Sequence, residues 1–168
     1  MTKYPRKIAH AAIIAALYAV LTHMQNILLP GSTTWAIQMR LSEALCILAF
    51  FTPSAAMGLA VGCLVFNLSY AGALPLDFLV GSLASFLAAK RMWKLKDRTV
   101  KGIPFLGLLM PPITNAILVG WELSVYIGGG FFINAVYVVI GETAVMLTAG
   151  LALFLAMKNR GLDKRLFL

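Results

Sequence analysis

The sequence predicts an all-α integral membrane protein, a bundle of six transmembrane helices with both termini in the cytoplasm. Three observations carry that prediction. Of the 168 residues, 61% are hydrophobic and only 12% charged, with a mean hydropathy of +0.88, which leaves too little polar side chain to cover a soluble globule. At about 20–25 residues per span plus connections, the length divides into roughly six crossings and leaves nothing over for a soluble domain. Finally, all but one of the 14 lysines and arginines fall in three clusters that six crossings place on one side of the membrane, and the positive-inside rule makes that side cytoplasmic.

Span 1 is expected over residues 8–25. Lys3, Arg6 and Lys7 before it resemble the start of a signal peptide, but the apolar run reaches His23, Gln25 and Asn26 without a small-residue cleavage pattern, so it is read as a retained span. It carries two ridges of small residues at a spacing of four, Ala11, Ala15 and Ala19 on one and Ala12 and Ala16 on the other. Such ridges let another helix approach closely, either inside this chain or from a separate membrane subunit. A loop rich in turn formers follows around Pro30 and Gly31. Span 2 is expected over 35–51 and, after the reversal Thr52-Pro53-Ser54, span 3 over 53–70, where Gly58-x-x-x-Gly62 makes another close-packing ridge. Span 4 is expected over 77–93. Span 5, over 103–122, holds Pro111-Pro112, which removes two backbone donors and predicts a kink or break. The segment from Leu123 to Gly130 reads as a loop, and span 6 covers 131–157 before a basic tail. Cys46 and Cys63 lie in apolar runs without metal-ligand spacing and read as core residues.

The basic clusters are Lys3, Arg6 and Lys7; Lys90 to Lys101; and Lys158 to Arg165. Topology and the anionic inner leaflet account for a net charge of +8, so nucleic acid need not be invoked. The remaining base is Arg40, in Gln38-Met-Arg40-Leu-Ser42-Glu43. Glu43, Asp77, Glu122 and Glu142 lie within spans or at their outer ends, so four carboxylates face one arginine in the outer half of the bundle. Glu142 is the deepest, about 16 Å along span 6 by helical rise. Charge at such depth marks a functional site by default. Ionised carboxylates only accept hydrogen bonds, so the site suits a cation or a ligand rich in N–H donors. Asn67, Asn115 and Asn134 are available amides, and Asn115 shares a helical face with Glu122. Arg40 and Glu43, three apart, either form part of the wall of a ligand site or simply neutralise each other on one helix, and Asp77 reads as a favourable charge at a helix N-terminus. Trp35, Trp121 and Tyr126 suit an interfacial aromatic belt, with Trp121 also available to stack on a planar ligand. His10 and His23 read as structural.

No P-loop, H-E-x-x-H or G-x-S-x-G motif and no aspartate-rich magnesium site is present, so neither ATP hydrolysis nor catalysis is expected of this chain, and no metal. A receptor, carrier or channel remains.

The chain resembles the substrate-binding subunits (S-components) of energy-coupling factor transporters. Gln38-Met-Arg40-Leu-Ser42-Glu43-Ala44-Leu45, Phe50-Phe51-Thr52-Pro53, Gly62 to Leu68, Gly81-Ser82-Leu83-Ala84 and Gly141-Glu142 are similar to the QueT family, with Met39 standing where an aromatic residue is expected. The resemblance implies a multi-pass protein of the bacterial cell membrane that captures a queuosine precursor, 7-aminomethyl-7-deazaguanine or a related deazapurine. It also implies two kinds of partner: a transmembrane coupling subunit and two cytoplasmic ATPases, so that ATP is used by the partners and no cofactor by this chain. The substrate-binding residues it implies are Glu43 and Glu142 first, with Asn67, Asn115 and Glu122 in support, Trp121 as a stacking surface, and Arg40 and Gln38 from the first motif. The partner-docking residues are Ala11, Ala15, Ala12 and Ala16. Two other readings are an S-component for a different vitamin and a stand-alone carrier or channel for an organic cation.

Overall fold

The computed structural model describes residues 3–33 and 39–167. Every named element is helical. Helix α1, Lys3–Leu28, is followed by a 3₁₀ helix, Leu41–Phe50, then α2, Ser54–Ser69, and α3, Asp77–Leu95. A short α4, Phe105–Leu108, leads into α5, Met110–Tyr126. Helix α6, Phe131–Val145, runs through a π turn, Met146–Gly150, into α7, Leu151–Asn159, and a terminal α8, Leu162–Phe167. Three stretches are long and apolar enough to cross a bilayer: Tyr4–Leu28, Phe105–Tyr126 and Phe131–Asn159. Their outer faces carry exposed Leu, Ile, Val and Phe, as expected of a protein whose solvent on those faces is lipid.

The expected second span needs correction. Residues 34–38 lie outside the described residues, and with them the expectations on Trp35 and Gln38. Arg40 is extended (φ −84°, ψ 103°) and Leu41–Phe50 is a 3₁₀ helix rather than part of an α-helix. At a rise of about 2.0 Å per residue against 1.5 Å, its ten residues reach about 20 Å where an α-helix reaches about 15 Å. Nine of the ten, Ser42 to Phe50, are buried, which is how a helix enclosed on all sides reads. It packs against α1, α2, α3, α6, the π turn and α7, with Leu45, Ile47, Leu48 and Phe50 in the main apolar core. That core fills the end of the bundle bearing the basic clusters. A smaller one, Val80, Ala84, Val119, Leu123 and Val138, lies between α3, α5 and α6.

The break expected from Pro111-Pro112 falls at Leu109, between α4 and α5, and both prolines sit in the first turn of α5, where a missing N–H costs nothing. Helix α5 also continues to Tyr126, so the loop shrinks to its glycines: Gly128, Gly129 and Gly130 all have positive φ, between 79° and 90°, which only glycine adopts readily.

The small-residue ridges divide by face. Ala15 and Ala19 are buried, Ala11 is half-buried, and Ala12 and Ala16 are exposed. The first ridge meets the glycine ridge of α2. A Cβ at Gly58 would lie 2.7 Å from the Ala11 carbonyl oxygen, and one at Gly62 would lie 2.7 Å from both the Ala15 carbonyl oxygen and Tyr18 Cβ. The α1–α2 contact is therefore backbone against backbone, gained from dispersion that lipid cannot replace. Gly62→Leu is expected to destabilise the protein by about 1–3 kcal/mol, seen as a lowered melting temperature in detergent, whereas Ala16→Leu on the exposed ridge should leave it unchanged.

Candidate functional site

The buried polar groups gather in one half of the bundle, where the C-terminal ends of α1, α2 and α5 meet the start of the 3₁₀ helix and of α3. From α1, Tyr18, Thr22 and Gln25 point inward at seven-residue span and spacings of three and four, one helical face. Tyr18 donates to Glu43 Oε1 at 2.5 Å, and Cys46 Sγ lies 3.1 Å from Glu43 Oε2. The Thr22 hydroxyl is 2.7 Å from both the Tyr18 carbonyl and Ser42 Oγ. With one proton to give, it donates to the carbonyl and accepts from Ser42. Gln25 accepts from the Leu41 N–H at 2.7 Å and donates to Ser32 Oγ at 2.9 Å and to the Met39 carbonyl. It satisfies the backbone where the chain turns into the 3₁₀ helix, and so fixes where Arg40 and Glu43 point.

Arg40 and Glu43 part company. With Arg40 extended rather than helical the two side chains diverge and do not pair, in place of the mutual neutralisation that three-residue spacing on one helix allowed. Arg40 is 5% exposed, and its guanidinium reaches Asp77 Oδ1 at 4.0 Å, the Thr33 carbonyl at 3.2 Å and the face of Phe66 at 5.9 Å. Asp77 is accordingly more than a helix-end charge. It is the buried counter-ion of Arg40, held by the Leu74 N–H on Oδ2 at 2.8 Å. Asn67 donates to the Asp77 carbonyl at 2.8 Å, tying α2 to α3. Gly81 makes the room for this: a Cβ there would lie 3.1 Å from Asn67 Nδ2 and 3.2 Å from Cys63 Sγ.

From the other side, Asn115 and Glu122 share the buried face of α5 as expected, and Glu142 comes inward from α6. Asn115 lies beside Glu142, which also feels the charge of Glu43, and Glu122 stands beside Asp77. The acids thus form two neighbouring pairs, Glu43 with Glu142 and Asp77 with Glu122. The bundle supplies few donors to them. Among the described residues, the buried side-chain oxygens without a hydrogen-bond partner are Asn67 Oδ1, Asp77 Oδ1, both oxygens of Glu122 and Oε2 of Glu142. Every one is an acceptor. Asp77 Oδ1 still faces the Arg40 guanidinium; for the other four, a buried acceptor left unmatched costs about 1–3 kcal/mol, more when charged, which the fold alone does not favour.

Two expected residues fall elsewhere. Trp121 is 49% exposed on the outer surface of α5 and does not face the acids, so a stacking role inside the cluster has no support in its position. Asn134 is buried but spends its amide on the carbonyls of Gly128 (2.7 Å) and Gly130 (3.0 Å), closing the glycine loop. Sequence reasoning missed Tyr18, Thr22 and Gln25. Their spacing marks one face of α1, but that this face is the buried one is decided by the neighbouring helices. No group of three or more His, Cys, Asp or Glu side chains among the described residues is arranged to hold a metal ion.

A family model described as QueT transporter matches residues 8–159. No curated protein and no solved structure matches the chain significantly.

Arg40→Met should cost about 3–5 kcal/mol by stranding a buried Asp77, and Arg40→Met/Asp77→Asn should recover much of it, measured by thermal unfolding in detergent. Tyr18→Phe should lose about 1.5–3 kcal/mol, the range for a hydrogen bond to a charged group, in the same assay.

Proposed function

The chain belongs to the QueT transporter family, and on that premise we propose that it is the substrate-binding subunit of an energy-coupling factor transporter, capturing 7-aminomethyl-7-deazaguanine or a close deazapurine from outside the cell. The observation that carries this reading is that the buried side-chain atoms left without a hydrogen-bond partner among the described residues are all oxygens of acids and one amide. The proposed ligand is rich in what the cluster lacks. Its guanine edge presents adjacent N–H donors that one carboxylate accepts bidentately, and its aminomethyl group is a cation for a second. Two acid pairs meet two donor groups. Glu142 and Glu122 offer free oxygens. Glu43 already accepts from Tyr18 and Cys46, yet each carboxylate oxygen has a second lone pair for a ligand donor. Asn67 Oδ1 and Asn115 add uncharged contacts, and Arg40, held by Asp77, is the one donor suited to the ligand carbonyl.

In this reading the chain crosses the membrane six times, with the acid cluster toward the outside and the basic clusters inside. The 3₁₀ helix, α2 and α3 supply the three crossings shorter or more polar than the three long apolar stretches. Coupling to a transmembrane subunit and its two ATPases uses the exposed ridge of α1. Ala12 and Ala16 face outward, beside an apolar groove of about 520 Å³ that Ala11, Ala12, Ala15, Met57 and Val61 line. Ala11 and Ala15 support that ridge from within by packing on α2.

Titration of purified protein with the deazaguanine, guanine, thiamine, biotin and riboflavin should single out the deazaguanine. Glu142→Gln should weaken its binding about tenfold to a hundredfold, the cost of a lost charge-assisted bond. Unchanged affinity in both Glu142→Gln and Glu43→Gln would refute the carboxylate model. Ala16→Trp should abolish energised uptake and leave binding intact. Uptake by liposomes containing this chain alone would instead favour a stand-alone carrier of an organic cation.

A further inference from the structure

At the basic end of the bundle, two cavities adjoin at the turn between the 3₁₀ helix and α2, sharing three lining residues. One, about 290 Å³, is lined by Arg6, Lys7 and His10 of α1 together with Phe51, Trp93 and Phe167. The other, about 230 Å³, runs along the seam between α2 and α3, lined by Ala56, Met57, Phe86 and Ala89. Thr52, Pro53 and Trp93 belong to both. Lys90 also lines the second cavity, with its ammonium 4.9 Å from the Phe86 ring centre.

We propose that these adjoining cavities are a site for one anionic phospholipid of the inner leaflet, its phosphate headgroup among Arg6, Lys7, His10 and Lys90 and an acyl chain along the α2–α3 seam. Three features select this occupant. The wide end is cationic and aromatic, complementary to a phosphodiester at the interface. Apart from the exposed Lys90, the side chains that line the narrow end from Trp93 to Phe86 are apolar over two helical turns, about 10 Å. Its one hydroxyl, that of Thr52, is already engaged by the Ser54 N–H at 3.3 Å. A peptide laid in that seam would bury backbone N–H and C=O groups with nothing to bond to, whereas an acyl chain has none to satisfy. The site lies at the opposite end of the bundle from the acid cluster and does not depend on the identity of the transported solute.

Native mass spectrometry of the detergent-purified protein with added phosphatidylglycerol or phosphatidylcholine of equal chain length tests the assignment. Phosphatidylglycerol should be retained with about tenfold or greater preference, and Lys7→Gln/Lys90→Gln, at two exposed positions, should reduce that preference to near unity with the melting temperature in plain detergent unchanged. Equal retention of both lipids, or a preference the double variant keeps, overturns the proposal. Soluble glycerophosphoglycerol should stabilise the protein far less than the whole lipid. Equal stabilisation would make this a phosphate pocket without an acyl site. A polyglutamate peptide that raises the melting temperature where phosphatidylglycerol does not would assign the pocket to an acidic protein partner and equally overturn it.

Discussion

The structure depends on keeping four carboxylates and one arginine inside a bundle whose remaining interior is hydrocarbon. Burial of that much charge is tolerated only where donors are arranged around it, and the arrangement determines much of the surrounding fold. Tyr18 and Cys46 serve Glu43, the Leu74 N–H and Arg40 serve Asp77, and Asn115 stands by Glu142. The donors run out before the acceptors do.

The 3₁₀ helix is the element through which this constraint acts. It is thin, enclosed and stretched, and it carries Ser42, Glu43 and Cys46 down the centre while α1, α2, α3 and α6 contribute facing groups. Gln25 clamps its entry by bonding both sides of the backbone at residues 39 and 41. The extended conformation of Arg40 just before the helix sends the guanidinium toward α3 while Glu43 faces α1. A motif contiguous in sequence thereby serves two different acid pairs.

Close packing holds the frame around this polar interior. Backbone contact between α1 and α2 at Gly58 and Gly62 gives a rigid wall, and it turns one alanine ridge inward while leaving the other facing lipid. At the basic end the main apolar core closes the bundle, with Phe51 stacked against Phe154 and Phe167 and the Phe167 ring edge-on to His10. The C-terminal helix α8 is thus tied to the start of α1. Polar and apolar interiors occupy opposite halves of one bundle.

Composition and charge order by themselves determined that this is a helical membrane protein, because hydropathy and the distribution of lysine and arginine are properties of the chain before it folds. The transporter family was also legible, in the run from Gln38 to Leu45 and in Gly141-Glu142, and so was the electronegative half, since counting acids against Arg40 needs no coordinates. The partners of those acids were not legible. Whether Arg40 meets Glu43 or Asp77 turns on the extended backbone of Arg40, which leaves it outside the helix that carries Glu43, a choice made by the packing around it rather than by local propensity. The inward face of Tyr18, Thr22 and Gln25 and the outward turn of Trp121 were equally matters of tertiary packing. A helix presents several faces with similar spacing, and only its neighbours decide which one is buried.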